Sequence, residues 1–153
     1  MKLTIKIRPN ERFNQEIMAA VERGMIRGMQ EIRQRAKELS PVKDGNNKDT
    51  IDFEITKTPT TVKGTIFSES GYGGWLEVGT GIYGPHRTPI VPVNGTFLAW
   101  PIYEGTSVDP VDWVYARSVR GRMPTPYLYP AFEEKKALLQ QYIHEECQAV
   151  RTK

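Results

Sequence analysis

The chain has one cysteine, Cys147, and only two histidines among its 153 residues. A single cysteine excludes an internal disulfide and a zinc site built from cysteines. His86 and His144 belong to no HxH or HExxH motif, so no metal site is predicted. The chain also lacks a GxSxG elbow, a P-loop and a cysteine near a histidine in a cleft-like context. We therefore predict that the protein is not an enzyme and needs no cofactor.

Long apolar runs and a strong charge imbalance are also missing. No segment approaches the roughly 20 apolar residues of a membrane-spanning helix, and residues 1–8 show no signal-peptide core. These absences predict a soluble protein without membrane contact. The formal net charge is only +3, whereas dedicated DNA-binding proteins carry a clearer basic stripe. The length and the 39% hydrophobic content predict one domain, spanning 1–153, with a real core.

An N-terminal strand and a long amphipathic helix begin the predicted body. Apolar and polar residues alternate over 3–8, which is typical of a half-buried strand. Apolar residues then recur at steps of three and four over 13–39, which predicts a helix of about 27 residues and about 40 Å. Pro41 ends this helix. Gly24 and Gly28 are spaced for close approach to a sheet or a neighbouring element.

A loop, a strand pair and a second helix follow. The polar stretch 41–50 is the best candidate for a mobile loop, and runs 51–57 and 62–68 predict a β-hairpin. The C-terminal helix is expected to begin near Pro130, with Glu133 and Glu134 in its first turn. Its apolar stripe consists of Phe132, Leu139, Ile143, Cys147 and Val150.

Between the strand pair and the last helix, prolines and glycines concentrate over 71–130, which favours strands and long loops rather than helix. Two β-type runs, 96–100 and 113–119, predict a projecting β-hairpin insertion at about 82–123. The predicted class is therefore α+β, with a mainly antiparallel sheet and the N-terminal and C-terminal helices packed on one face.

Two segments flank this insertion and are expected to shape the backbone. The first is Trp75-Leu76-Glu77-Val78-Gly79-Thr80-Gly81, and the second runs over 124–134. The glycines of the first segment permit unusual backbone angles. Glu77 is predicted to form a buried or interfacial ion pair with an arginine such as Arg87 or Arg117. The structural motif residues are Trp75, Glu77, Gly79, Thr80, Gly81, Pro126 and Pro130.

A basic and aromatic cluster lies inside the insertion. It consists of Trp113, Tyr115, Arg117, Arg120 and Arg122. Basic residues interleaved with aromatic ones can bind a nucleic-acid backbone. The same arginines can instead pair with acidic residues of a neighbouring subunit, and we favour this second interpretation.

Several segments, taken in order, carry a resemblance to a known family. They are Ser40-Pro41-Val42-Lys43-Asp44-Gly45, the 75–81 segment, Pro89-Ile90-Val91-Pro92 with Leu98-Ala99-Trp100, and Pro126-Tyr127-Leu128-Tyr129-Pro130-Ala131. This ordered set resembles the tail-component proteins of long-tailed bacteriophages, also called tail completion or head–tail joining proteins. Lys43 and Tyr129 stand where that family has Asp and frequently Arg.

The resemblance implies a non-enzymatic structural protein of the virion neck or tail, encoded by a phage or prophage and present in the host cytoplasm during assembly. Such proteins form rings, commonly sixfold, and can be monomeric before assembly. The implied partners are further copies of the chain and tail-tube, tail terminator or head-connector proteins. Trp100, Trp113 and Tyr115 are then expected at a subunit contact. Arg117, Arg120 and Arg122 are expected to face an acidic neighbour or DNA in the channel. A nucleic-acid-binding module is the alternative function.

Overall fold

A computed structural model describes residues 2–7, 15–41, 46–104 and 109–151. It contains helices and antiparallel strands, so the predicted α+β class is confirmed. The elements are β1 (Lys2–Ile7), α1 (Gln15–Leu39), α2 (Asn46–Asp49), β2 (Ile51–Thr58), β3 (Thr61–Ser68), α3 (Gly73–Val78), a 3₁₀ turn (Gly81–Tyr83), β4 (Leu98–Ile102), β5 (Asp112–Ala116) and α4 (Leu128–Arg151). No helix of the described segments is long and apolar enough to cross a bilayer.

The chain divides into two compact units. The first unit combines 1–77 with 125–153, and the second unit is 78–124. The predicted insertion at 82–123 falls within the second unit. Within that unit β4 and β5 form a two-stranded antiparallel pair, and its projection from the body stays a prediction.

The first unit is built on a three-stranded antiparallel sheet in the order β1-β3-β2. The predicted hairpin is confirmed, since β2 and β3 pair over their full length around a two-residue turn at 59–60. Ile51, Val62 and Ile66 are buried and join the α1 side chains Met25 and Ile32 in one core. Alternate residues of β2 and β3 therefore face α1, and the opposite face is polar apart from Phe67.

Helix α1 also packs closely along α4, and two glycines permit this approach. A Cβ atom at Gly24 would lie 2.5 Å from the Ile143 Cα, and one at Gly28 would lie 2.9 Å from the Leu139 Cα. Both distances are too short for a real side chain. The prediction that this glycine pair serves close packing is confirmed, and the neighbour is α4.

Ion pairs line the exposed sides of this helix pair. Arg23 bonds Glu146 at 2.8 Å, and Arg35 bonds Glu134 at 2.6 Å. These hydrogen bonds hold the pKa of Glu146 and that of Glu134 below the ordinary carboxyl value. Because such exposed pairs contribute little stability individually, we expect them mainly to orient the two helices.

Three local predictions differ from the structure. The predicted mobile loop at 41–50 includes a short helix at Asn46–Asp49. Residues 42–45 of that loop lie outside the described residues, and so do residues 13 and 14 of the predicted first helix. The stretch 71–130 was expected to lack helix, yet α3 occupies Gly73–Val78. Helix α4 begins at Leu128, so Glu133 and Glu134 lie beyond its first turn.

Candidate interaction surface

The second unit is organised by its returning chain, 112–124, which bonds successive segments of the outgoing chain. It first pairs with β4, and Val119 then exchanges two backbone hydrogen bonds with Ile90 at 2.8 and 2.9 Å. The N–H of Ile82 next donates to the Arg120 carbonyl at 2.8 Å, and the N–H of Thr80 donates to that of Arg122 at 2.9 Å. The two ends of the unit are therefore held side by side.

Glycines are required where these two ends meet. Gly81 has φ +62° and Gly121 has φ +89°. A Cβ atom at Gly81 would lie 2.1 Å from the Arg120 carbonyl oxygen, and one at Gly121 would lie 2.2 Å from the Thr80 carbonyl oxygen. Gly79 also has positive φ, which confirms the unusual backbone angles predicted for the Gly-Thr-Gly segment. The Thr80 hydroxyl accepts a further bond from the Arg122 N–H at 2.8 Å.

Glu77 caps α4, within the first unit. The residue is buried, with 6% of its surface exposed. Oε2 accepts the backbone N–H groups of Tyr127 at 2.8 Å and Leu128 at 2.9 Å, and Oε1 accepts that of Tyr129 at 2.9 Å. A helix N-terminus presents N–H groups without partners and a positive dipole end, which a carboxylate satisfies.

The prediction that Glu77 forms an ion pair with an arginine is therefore wrong. The charge of Glu77 instead faces three backbone donors at the N-terminus of α4. Helix α3 places the side chain, and a bond from the Thr125 N–H to the Leu76 carbonyl at 2.7 Å aligns the two segments. The apolar surroundings of Glu77 indicated burial correctly, but the sequence contained no sign that the partner would be backbone.

The predicted contact aromatics are exposed in this structure. Trp100 is 39% exposed, Trp113 48% and Tyr115 65%. In the β4–β5 register, Trp100 lies opposite Val114. The next pair along the strands is Pro101 opposite Trp113. Because successive strand residues point to opposite faces, Trp100 occupies one face of the pair and Trp113 with Tyr115 the other. Both faces of this two-stranded sheet are therefore apolar and partly open to solvent.

The second unit has no buried apolar centre in its described part. None of its hydrophobic side chains within 78–104 and 109–124 is buried. Of the fourteen large hydrophobic side chains exposed in the described structure, twelve lie in this unit, and two, Trp75 and Tyr129, lie in the first unit. The twelve are Tyr83, Ile90, Val91, Val93, Phe97, Trp100, Ile102, Tyr103, Val111, Trp113, Tyr115 and Met123. A concentration of this kind marks an interaction surface.

The three predicted arginines are exposed beside this apolar surface. The Arg117 guanidinium lies 5.8 Å from the centre of the Phe97 ring, at cation–π distance. Arg120 and Arg122 use their backbones to hold Ile82 and Thr80, so their side chains are not needed for that ladder. Nine ion pairs join partners within the first unit.

The remaining motif residues lie in the first unit. Trp75 is exposed on α3, Pro126 is exposed before α4, and Pro130 is half-buried as the third residue of α4. They bracket the Glu77 cap. The described residues contain no group of three His, Cys, Asp or Glu side chains that could hold a metal ion.

Asn47 is an organising residue that the sequence interpretation missed. It is 1% exposed. Its Oδ1 accepts the hydroxyls of Ser68 at 2.7 Å, Ser70 at 2.8 Å and Tyr127 at 3.3 Å, and its Nδ2 donates to the Ser40 hydroxyl at 2.8 Å. Burial raises the pKa of the Tyr127 hydroxyl. A polar residue in a polar run gave no sequence signal for this position.

The chain matches no protein-family model, no curated protein and no solved structure.

Proposed function

We propose that this chain is a non-enzymatic structural protein of the neck or tail of a long-tailed phage. In this proposal it completes the tail or joins it to the head by assembling as a ring. The observation that carries the proposal is the second unit, which exposes twelve large hydrophobic side chains and buries none of its described ones. Surfaces of this composition are stabilised by covering them, and an assembly component gains that cover from its neighbours.

Covering this surface contributes favourable free energy to association. Covering the exposed parts of Trp100, Trp113 and Tyr115 removes on the order of 300 Å² from water, which is worth about 7 kcal/mol. Association costs about 4–15 kcal/mol in lost freedom, so these three aromatics offset part of the cost. Several other exposed apolar residues of the unit must contribute, and this requirement fits a protein that is monomeric before assembly and ring-forming on its partner.

The test compares exposed tryptophans in the two units. Trp100→Ser and Trp113→Ser should each weaken joining by about 30-fold, equivalent to about 2 kcal/mol. Trp75→Ser, which replaces an exposed tryptophan of the first unit, is the matched control and should join normally. The measurement is co-sedimentation and native mass spectrometry with purified tail tubes and head connectors.

Two outcomes would contradict the proposal. One is a wild-type protein that never joins tubes or connectors at any concentration. The other is loss of the fold in Trp100→Ser or Trp113→Ser, measured by circular dichroism, because it would make these residues part of a core rather than of a contact.

The exposed arginines favour a second candidate, a nucleic-acid-binding module. Arg117, Arg120 and Arg122 form no ion pair among the described residues, and phosphates can take the place of carboxylates. This candidate predicts DNA binding that weakens steeply with salt and disappears in the triple Arg→Ala variant. Absence of DNA binding at low salt would eliminate it.

A further inference from the structure

Strand β1 forms one edge of the three-stranded sheet of the first unit. In the order β1-β3-β2 it pairs with β3 on one side, and no described strand lies on its other side. Around the two-residue turn at 59–60, Thr58 and Thr61 form a hydrogen-bonded pair. Bonded and non-bonded pairs alternate along antiparallel strands. Alternate residues of β3 therefore bond β2, and the residues between them, such as Gly64 and Ile66, bond β1.

The same alternation leaves backbone groups of β1 facing outwards. Leu3 lies opposite Ile66 and Ile5 opposite Gly64, so Leu3 and Ile5 use their N–H and C=O groups on β3. The intervening residues are Lys2, Thr4 and Lys6. Their N–H and C=O groups face the free edge, and no hydrogen bond to these groups occurs among the described residues. A row of this kind is a template for a further strand.

The two faces of this edge differ in side-chain chemistry. On the inner face Leu3 and Ile5 are half-buried at the margin of the core, because α1 packs over β2 and β3. On the outer face Lys2 and Lys6 are exposed, and neither forms an ion pair within the described segments. An added strand would therefore bury apolar side chains beside Leu3 and Ile5, and it would gain from carboxylates beside the two lysines.

A third lysine increases the preference of this edge for acidic side chains. Lys6 lies directly opposite Lys63 in the β1–β3 register, and like charges directly opposite each other on neighbouring strands are destabilising. The same row continues to Thr56 on β2, which carries no charge. Lys63 also has no ion-pair partner in the described part of the chain. A carboxylate on the far side of Lys6 would offset this repulsion.

The opposite edge of the sheet is closed, which argues against a second copy of the chain as the added strand. At that edge the Asp52 carboxylate accepts the outward-facing N–H of Phe53 at 2.9 Å and a guanidinium N–H of Arg33 at 2.9 Å. The edge donor is thus covered and the acidic group is paired. Pairing β1 with β1 of another copy would instead bring lysines beside lysines.

We propose that the β1 edge binds an extended segment of a partner protein as a fourth strand. In this segment apolar side chains cover Leu3 and Ile5, and two carboxylates four residues apart lie beside Lys2 and Lys6. Main-chain bonds give such a contact its affinity, and the side chains at alternate positions give it specificity. Lys2 and Lys6 are about 13 Å apart along the strand, a spacing that a paired strand reproduces. The site lies in the first unit and is independent of the second-unit surface on which the proposed function rests.

Two synthetic peptides test this site. The acidic peptide is acetylated and amidated Thr-Glu-Val-Thr-Val-Glu-Thr, whose glutamates share one face and whose valines share the other. The basic peptide has lysine in place of both glutamates and is the matched control. Backbone NMR of the full chain follows the titration with each peptide, and amide hydrogen exchange identifies the backbone groups that become bonded.

Wild type should bind the acidic peptide at least about tenfold more tightly than the basic one. A Lys2→Glu, Lys6→Glu variant should reverse this preference. A Lys37→Glu, Lys48→Glu variant carries the same charge change on two helices of the first unit and should keep the wild-type preference. The acidic peptide should also slow exchange of the Thr4 amide more than that of the Leu3 or Ile5 amide, because only the Thr4 N–H gains a partner.

A Thr4→Pro variant tests the main-chain contact separately. Since the Thr4 N–H faces the free edge, proline removes an edge donor and no bond of the β1–β3 ladder. The variant should keep the circular dichroism of wild type and lose binding of the acidic peptide. Should it fail to fold, exchange of the Thr4 amide in wild type, with and without the acidic peptide, decides the same point.

The inference is overturned if wild type binds neither peptide at millimolar concentration or binds both equally. It is also overturned if the Lys2→Glu, Lys6→Glu variant keeps the wild-type preference, or if the acidic peptide binds while the Thr4 amide exchanges as in the free protein. Protection of the Thr4 amide that increases with protein concentration in the absence of peptide would identify a second copy as the occupant and would likewise overturn it.

Discussion

Replacing Glu77 by alanine should remove the cap of α4 and destabilise the whole first unit. The substitution deletes the acceptor of three backbone N–H groups, of which those of Tyr127 and Leu128 are buried. A buried donor left without an acceptor costs about 1–3 kcal/mol, while water can reach the half-buried donor of Tyr129. Loss of the favourable interaction with the helix dipole adds about 0.3–1 kcal/mol. The expected total is about 4 kcal/mol of unfolding free energy.

Thermal denaturation followed by circular dichroism measures this loss. For a chain of this length, 4 kcal/mol corresponds to a fall in Tm of about 8–16 °C. Glu77→Gln should lose about half as much, because a single amide oxygen in the Oε2 position still accepts two bonds but sets an NH₂ group against the Tyr129 N–H. Backbone amide exchange at Tyr127 and Leu128 should accelerate in both variants.

Glu54→Ala is the matched control, because Glu54 is exposed and makes no ion pair within the described residues. It should change Tm by no more than about 2 °C. The capping argument is refuted if Glu77→Ala melts within that margin of wild type. It is also refuted if the Tyr127 and Leu128 amides keep wild-type protection.

Three further predictions concern crowding and charge. Gly24→Ala should lower the free energy of unfolding, measured by chemical denaturation, by about 1–3 kcal/mol, because its Cβ would meet the α4 backbone. This loss is expected even though alanine favours helix. Gln30→Ala, at an exposed position of the same helix, should not lower it. Gly121→Ala should disrupt the second unit, as measured by amide exchange, more than Gly95→Ala, which lies in the same unit and also has positive φ but open space around it; equal effects would contradict the argument from crowding. Hydrogen bonds from Arg35 and Arg23 lower the pKa of Glu134 and of Glu146 below the ordinary value of 4.5. The stabilisation that these bonds give the folded protein is therefore fully present above pH 4.5. It is lost as the pH falls through the two lowered pKa values. A double Glu134→Gln, Glu146→Gln variant should show a flatter fall of Tm with acidification, and an unchanged profile would contradict the assignment.

Local patterns predicted much of the first unit. The alternation over 3–8 and the three-and-four spacing over 13–39 correspond to β1 and α1, since burial of one face imposes those periods directly. The runs 51–57 and 62–68 became β2 and β3 for the same reason. Where no periodicity exists, prediction failed. Helix α3 is only six residues long, too short to produce a periodic signal, and its glycines argued against helix.

The candidate surface was predicted by composition rather than by period. Trp100, Trp113 and Tyr115 are expected at a subunit contact because interface hot spots favour aromatic residues, and all three are exposed. The division of Trp100 and Trp113 between two faces was not predictable, because it depends on the β4–β5 register.

The sequence by itself determined the α+β class, the helix and strand periods, the close packing at Gly24 and Gly28, and the need for glycine at 79–81. Each follows from side-chain shape or spacing along the chain, which is local information. Only the tertiary structure decided the partners of isolated polar residues. Glu77 meets backbone donors 50 to 52 positions away, and Asn47 meets hydroxyls 7 to 80 positions away. A buried polar group must find a partner, but the chain path alone determines which partner lies within hydrogen-bond reach.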